Sequence, residues 1–490
     1  MKLSQILPAS LIVRQAADPE PEIPAITYDS RRVEPGALFF ALPGFKADGH
    51  SYAADARARG AGAIVTERWL AGLGLPQVQV HDARLAMAAA SANFYGRPSG
   101  RLRVTGITGT NGKTTTTFLL DSILQAAGNL TGLIGGVECR IAGRVAPAAR
   151  TTPESPDLQR ALAEMVAAGA GFATLEVSSH GIELKRSACV AFDVAVFTNL
   201  TRDHLDLHQD METYFLTKRK LFIWEESQTC PGQEITRPQA AICLDGEYGR
   251  RLYRELAGEA LGFGWANDAS VTALDIREID RGYTFELVTP DGSAPARLQL
   301  PGRHNLDNAM AAAAAACQLG VPLQSITAGI GRLTRVPGRF DFIDAGVPFT
   351  VVVDYAHNED GLERALAAAR RMTERKLILV FGCPGERDRD KRPGMGRIAG
   401  TMADLAILTT DDCYQEPAGQ ILDETEPGLA ESGGNYLRIE DRREAIETAL
   451  KSAGDGDLVL IAGKGHETKQ MLAAGPVPFS DSAVVKEILG

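Results

Sequence analysis

The chain has 490 residues, of which 44% are hydrophobic and 23% charged, and its formal net charge is −11. Domains hold roughly 100–200 residues, so a single core is excluded and two to four domains are expected. The negative balance excludes a broad non-specific grip on nucleic acid or on an anionic membrane, while leaving room for a local basic pocket.

The start, MKLSQILPASLIVRQAADPEPE, lacks the charged n-region and continuous apolar core of a secretory signal. No run approaches the ~20 apolar residues that span a bilayer. The cysteines at 139, 189, 230, 243, 317, 383 and 413 are scattered and form no CxxC pair. They predict reduced thiols in a cytoplasmic protein, with neither a zinc site nor a disulfide framework.

Residues 1–98 form the first expected domain. Short apolar strands at Ala37–Leu42 and Ala63–Val65 alternate there with an Ala-rich helix at Tyr52–Arg59. The second runs from 99 to 335. Leu102, Val104 and Ile107 make a strand that enters a glycine-rich loop, and Thr114–Ala127 reads as the following helix. Strands recur at Phe172–Val177 and Asp193–Thr198, each ending in polar residues, as in a parallel sheet that displays a site at its carboxyl edge. Tyr283, Phe285 and Leu287, then Leu298 and Leu300, flank an Asp291-Gly292 turn and predict an antiparallel hairpin appended to that sheet. The Ala309–Ala316 run reads as a closely packed helix.

From 336 to 490 the strands are Thr350–Val353, Leu377–Phe381, Leu405–Thr409 and Leu458–Ala462. Helices are expected between them at Gly361–Met372, Arg392–Ala403 and Arg442–Ser452. That alternation implies a second doubly wound α/β domain.

The chemistry begins at Gly106-Ile-Thr-Gly109-Thr110-Asn111-Gly112-Lys113-Thr114-Thr115. Ile107 stands where the usual phosphate loop has its first glycine, so the segment is a variant, GxxGxxGKT. Strand, glycine-rich turn and helix N-terminus are retained, and free backbone N–H groups can face a phosphate. Lys113 can reach the β- and γ-phosphates and Thr114 can ligate Mg²⁺. A glycine-rich loop without a ligand is the weaker reading for a Lys-Thr-Thr at this spacing. Downstream, Glu176 ends a strand in Glu176-Val-Ser-Ser-His180, and His204 lies in Asn199-Leu-Thr-Arg-Asp-His204. A carboxylate and an imidazole at neighbouring strand ends could hold a second divalent cation.

Ten motifs then occur in order: TGTNGKTTT, TTPES (151–155), EVSSH (176–180), TNLTRDHLD (198–206), YFLTKRKLF (214–222), PGRHNLDNAMAA (301–312), VPGRF (336–340), DYAHN (354–358), RDRDKRP (387–393) and AGKGHE (462–467). In this the chain resembles the Mur ligases over nearly its whole length. Tyr28-Asp-Ser-Arg31 and Ala41-Leu-Pro-Gly44 resemble the amino-terminal signature of the branch that adds the third residue of the peptidoglycan stem peptide. The resemblance implies a three-domain α/β architecture: an amino-terminal UDP-MurNAc-binding domain, a central P-loop ATPase domain and a carboxyl-terminal Rossmann-like domain. It also implies a soluble monomeric ligase that joins an amino acid to UDP-MurNAc-L-Ala-D-Glu with ATP and Mg²⁺. In that chemistry the γ-phosphate moves onto a carboxylate and the incoming amine attacks the acyl phosphate.

By the same resemblance, Gly109 to Thr115 hold the phosphates, and Thr114, Glu176, His204 and Lys218 serve the metal ions. Lys218 matches the lysine that this family carbamylates, where CO₂ turns an ammonium into an oxygen donor. Composition alone reads Lys218 as a solvated lysine of the run Lys218-Arg219-Lys220. Asn305, Arg339 and Asp354 match contacts to adenine and ribose. Ser30 and Arg31 are expected at the uridine nucleotide, and Thr151, Thr152, Ser178 and Arg186 at the muramoyl-peptide. Arg387, Gly463 and Glu467 are expected at the incoming amino acid.

One segment departs from the pattern. Diaminopimelate-adding members carry D-N-P-R, whose arginine pairs with the distal carboxylate. This chain reads Asp411-Asp412-Cys413-Tyr414-Gln415-Glu416-Pro417, without that proline and arginine. Acidic Asp411, Asp412 and Glu416 favour a cationic side chain such as lysine, with meso-diaminopimelate as the alternative. Glu359 also stands where the family carries proline, which is expected to alter only a helix entry. Folylpolyglutamate synthase shares the chemistry, but Tyr28-Asp-Ser-Arg31 argues against it. A ligase of a natural-product pathway, a non-catalytic nucleotide-binding subunit and a switch NTPase are further alternatives. The complete set Lys113, Glu176, His204 and Lys218 weighs against the non-catalytic subunit, and a whole third domain given to amino-acid and adenosine contacts weighs against the switch.

Overall fold

The computed structural model describes residues 1–16, 20–44, 47–141, 143–223, 230–231 and 236–490. They fall into two compact units. The first comprises Met1–Thr108, Gly128–Val196 and Thr217–Ala240; the second comprises Gly109–Ala127, Phe197–Leu216 and Ala241–Gly490.

In the first unit, a five-stranded sheet runs in the order Ile12–Ala16, Gln77–Val80, Ala63–Thr66, Leu38–Phe40, Ile26–Thr27, antiparallel at its first pair and parallel elsewhere. The helix Ala83–Phe94 covers it. Asp82 caps that helix by accepting from the Leu85 N–H, and Ala83, Ala86, Met87 and Ala90 bury against Leu38, Phe40, Val65 and Val78. A second sheet carries Arg103–Thr108 beside Phe172–Glu176, then Thr131–Ile134, all parallel, with Glu176 level with Ile107. The strands Glu138–Ile141 and Arg144–Pro147 extend it as an antiparallel meander.

In the second unit, the helix Lys113–Ala126 packs on His304–Gln318 and Leu323–Arg332. Ala309 and Ala311 to Ala316 are all buried, since methyl side chains let helices approach closely. The expected hairpin forms between Gly282–Thr289 and Gly292–Leu298, but it belongs to a separate three-stranded sheet with Thr272–Ile279. Thr272–Ile279 was not expected as a strand because Glu, Asp and Arg interrupt its alternation on an edge that needs no apolar face.

A six-stranded sheet has the order Asp341–Phe342, Thr350–Asp354, Leu458–Ala462, Leu377–Phe381, Leu405–Leu408, Tyr436–Arg438, parallel except at its first strand. Its central strands are buried throughout, and separate apolar cores cover its two faces. The helix at the Asp-Tyr-Ala-His segment starts at Glu359 itself, with Asn358 as its cap, so the missing proline changes little.

One expectation is corrected. Cys189 and Cys230 form a disulfide, while Cys139, Cys243, Cys317, Cys383 and Cys413 are free. The two half-cystines are 41 residues apart, and folding rather than spacing brings them together.

Candidate active site

The phosphate loop leaves the strand Arg103–Thr108 and enters the helix Lys113–Ala126. Gly112 at the helix start has φ +86°, and a Cβ there would collide with Asn308, so only glycine fits. Thr198 and Asn199 brace the loop from outside. Thr198 Oγ1 donates to Asn111 O at 2.7 Å, and Asn199 Oδ1 accepts from Asn111 N at 2.9 Å. Thr110 Oγ1 donates to Thr201 O at 3.1 Å, and Thr115 is buried. Lys113 Nζ donates to the loop carbonyls of Gly109 and Thr110 at 2.9 and 2.8 Å.

The residues expected at adenosine lie in the same unit. Arg339 donates to Thr114 Oγ1 at 3.1 Å and lies 4.5 Å over the Tyr355 ring. Asp354 accepts from Phe340 N and Ala356 N, and burial holds its carboxyl above the usual range despite Arg339. Asn305 donates to Pro301 O and accepts from Asn308 Nδ2 at 2.9 Å. Beside them is a small cavity of about 40 Å³ lined by Asn111, Gly112, Asn199, His304, Asp307 and Arg364. Burial moves two of its groups in opposite directions: His304 falls to about 4 and Asp307 rises to about 6.

His204 opens the short helix Leu205–His208, in a left-handed conformation with φ +54°. Its N–H donates to Asp203 Oδ1 at 2.8 Å. Asp203 is buried, and burial alone would raise its pKa. His204, His357 and Lys391, with the Asn358 amide at 3.0 Å, instead hold it well below the ordinary value. His357 and Asn358 therefore fix Asp203, a role that the motif alone did not assign. Asn111 Nδ2 donates to Asp360 Oδ2 at 2.6 Å, tying the phosphate loop to the helix that follows His357.

The first unit holds Glu176 and Lys218. Glu176 is buried at the end of Phe172–Glu176, and its Oε1 accepts from Gly136 N at 2.8 Å. The Lys218 side chain is also buried, with Nζ 3.5 Å from Thr108 Oγ1, so the solvated reading of this lysine is replaced by an enclosed one. Among the described residues no three His, Cys, Asp or Glu side chains are grouped for a metal. Taken singly, a threonine hydroxyl such as that of Thr114 and a carboxylate such as that of Glu176 are hard oxygen donors of the kind that Mg²⁺ takes.

The expected muramoyl-peptide residues are linked in that unit. Thr152 Oγ1 donates to Glu176 O at 2.9 Å and lies 3.1 Å from Ser178 Oγ, while Ser178 N donates back to Thr152 Oγ1 at 3.0 Å. Arg186 donates to Glu154 Oε1 at 2.9 Å and to Thr152 O at 3.3 Å. Glu154 also accepts from Arg84 at 3.3 Å, so a residue of the TTPES motif without an expected role holds two arginines. Thr151 lies beside Gly136. Ser30 is buried, whereas Arg31 is exposed and forms a bidentate pair with Asp29 at 2.9 and 2.8 Å.

At the carboxyl ends of the six-stranded sheet, Asp411, Asp412, Gly463 and Glu467 come together, with Arg387 near Tyr414. Gly463 has φ +112°, and a Cβ there would press on Asp411 Oδ2. The acidic charge is largely matched. Arg392, fully buried, grips Glu416 through two bonds at 2.8 and 2.9 Å, and Arg389 adds a third cation contact at 2.9 Å. Lys464 takes Asp412 and Glu467, both at 2.7 Å. Glu416 is thus occupied by structure, which weakens the physical ground for preferring a purely cationic side chain.

Three family models match the chain: the Mur ligase family catalytic domain over residues 22–95, the Mur ligase middle domain over 107–316, and the Mur ligase glutamate ligase domain over 338–465. A protein of Solibacter usitatus named UDP-N-acetylmuramoyl-L-alanyl-D-glutamate–2,6-diaminopimelate ligase is 43% identical, over 100% of this chain and 98% of its own. The chain belongs to the Mur ligase family. A Geobacillus kaustophilus protein of the same name is 44% identical over 95% of this chain and 94% of its own. A UDP-N-acetylmuramyl-tripeptide synthetase of Roseiflexus is 41% identical over 100% and 99%. A solved structure bearing the diaminopimelate ligase name is 31% identical, covers 100% of this chain and 98% of its own, and superposes with a TM-score of 0.65. Like other Mur ligases, the protein is an ATP-dependent peptide ligase of α/β architecture.

Proposed function

We propose that this Mur ligase adds a diamino acid, meso-diaminopimelate in preference to L-lysine, to UDP-MurNAc-L-Ala-D-Glu in the cytoplasm, acting as a monomer. The observation that carries the choice is the Arg392–Glu416 pair, which withdraws one of the three carboxylates that argued for lysine. The names of the relatives point the same way. The expected domains remain 1–98 for the UDP-MurNAc nucleotide, 99–335 for ATP and 336–490 for the amino acid.

In this reading Lys113 and the loop amides of Gly109 to Thr115 orient ATP so that its γ-phosphate faces the D-Glu side-chain carboxylate. Arg339, Asp354 and Asn305 hold the adenosine. Ser30 and Arg31 face the uridine nucleotide, while Thr151, Thr152, Ser178 and Arg186 hold the peptide against Glu176. Thr114, Glu176, His204 and Lys218, the last as a CO₂-derived carbamate, would hold Mg²⁺, which would supply positive charge against the phosphates. The burial of Lys218 supports the modification, because a carbamate replaces an ammonium that would repel a cation. Arg387, Gly463 and Glu467, with Asp411 and Asp412, hold the amino acid while its amine attacks the acyl phosphate. The amide bond forms, inorganic phosphate leaves and the amine loses a proton.

The test is phosphate release from ATP with each substrate withheld in turn. Release is expected only when UDP-MurNAc-dipeptide and an amino acid are both present. Hydrolysis independent of either one sinks the reading.

A further inference from the structure

Lys464 follows the strand Leu458–Ala462, and its side chain has no exposed surface. Its ammonium donates to Asp412 Oδ1 and Glu467 Oε2, both at 2.7 Å, and Asp411 Oδ1 lies 3.9 Å away. Asp411 and Asp412 come from the loop after Leu405–Leu408, so one cation ties the ends of two strands. Asp412 Oδ1 is held further by Met471 N at 2.9 Å. Glu467, at 30% exposure, is the open member of the group.

Burial of an ammonium costs several kcal/mol and is sustained only by well-placed partners. Burial draws the Lys464 pKa down, yet Asp411, Glu467 and Asp412 outweigh it and the net shift is upward. Three carboxylates against Lys464 leave two negative charges, and Arg387, 5.8 Å from the Tyr414 ring, brings the set closer to balance. An amino acid brings an α-ammonium and an α-carboxylate to such a set. Lysine brings a net positive charge, whose binding grows with the negative charge left on this set, whereas diaminopimelate adds an amine and a carboxylate together and depends on it less.

We propose that Lys464 is a specificity-setting positioning residue: it aims Asp412 and Glu467 at the incoming amino acid and cancels part of the negative charge that would favour a purely cationic side chain. This rests on the assignment of Asp411, Asp412 and Glu467 to the amino acid, and it goes further by naming the residue that tunes them. Specificity is a difference of affinities, so removing a compensating charge changes the ranking of substrates and not only their binding.

The test measures kcat/KM for lysine and for diaminopimelate on the full-length enzyme. Lys464→Met is expected to raise the lysine-to-diaminopimelate ratio at least about tenfold (about 1.4 kcal/mol). Asp412→Asn, which removes a negative charge, is expected to lower it. Lys464→Arg retains the charge and is expected to keep the ratio near wild type while raising the amino-acid KM. Shifts of Lys464→Met and Asp412→Asn in the same direction, or none, overturn the proposal. If Lys464→Met does not fold, the Asp412→Asn ratio decides, and an unchanged or raised ratio overturns it. Glu467→Gln separates the two levels. An unchanged amino-acid KM there removes the assignment itself, whereas a raised KM beside unmoved ratios removes only the role of Lys464.

Discussion

The phosphate loop and the cluster proposed to hold the amino acid lie in the same compact unit and are built in opposite ways. At Gly109–Thr115 the recognising groups are backbone amides and one lysine, contiguous in sequence and arranged by a strand, a turn and a helix start. At Asp411–Glu416 the groups proposed to recognise the amino acid are side chains whose charge is matched by partners far along the chain. Lys464 is 52 positions from Asp412, and Arg392 is 24 positions from Glu416. A local site announces its ligand by its residues; a compensated site announces it only after its partners are known.

The largest expected effect lies at the phosphate end. Lys113→Ala removes the one side-chain cation of the loop and should lower kcat by about 10³-fold or more, read as phosphate release at saturating substrates. Retention of more than a tenth of wild-type kcat would show that the loop amides suffice without it. Lys218→Ala should cost about 10²-fold and be partly restored by short carboxylates such as formate, which supply the missing oxygen donor. An unrescued mutant with full activity would refute the carbamate. Arg339→Ala should raise the KM for ATP about tenfold with little change in the amino-acid KM, since its contacts are to Thr114 and Tyr355.

The amino-acid end should respond through stability as well. Arg392→Met leaves Glu416 buried without its bidentate partner and should destabilise the fold by about 3–5 kcal/mol in denaturant titration. An effect below about 1 kcal/mol would mean that Arg389 alone can hold Glu416. The smallest effect is on pH. Arg392 holds the Glu416 carboxyl down at about 2, against an ordinary 4.5. A depressed carboxylate contributes stability above its unfolded pKa and loses it as pH falls through the folded one. Stability should therefore drop between about pH 4.5 and 2, and Glu416→Gln should remove that component of the drop.

Much of the fold was legible because its strands are short apolar runs separated by helical segments. The strands Phe172–Glu176, Leu377–Phe381 and Leu458–Ala462 fall within a residue of expectation. The edge strand Thr272–Ile279 escaped because edges tolerate charge. At the candidate site, motif order located Thr152, Ser178, Arg186 and Glu176, and folding links them by hydrogen bonds. Residues that act through others were not legible. Glu154, Arg392 and Lys464 lie inside the quoted motifs, yet their importance comes from pairs such as Arg186–Glu154 that no spacing encodes. Cys189–Cys230 was missed for the same reason.

The most direct test of the contrast between a local and a compensated site is a competition assay, with limiting UDP-MurNAc-dipeptide and equal lysine and meso-diaminopimelate, products separated by mass. The charge matching of Glu416 by Arg392 and of Asp412 by Lys464 predicts that the diaminopimelate product dominates. A dominant lysine product would mean that the acidic residues, read without their partners, had described the pocket correctly.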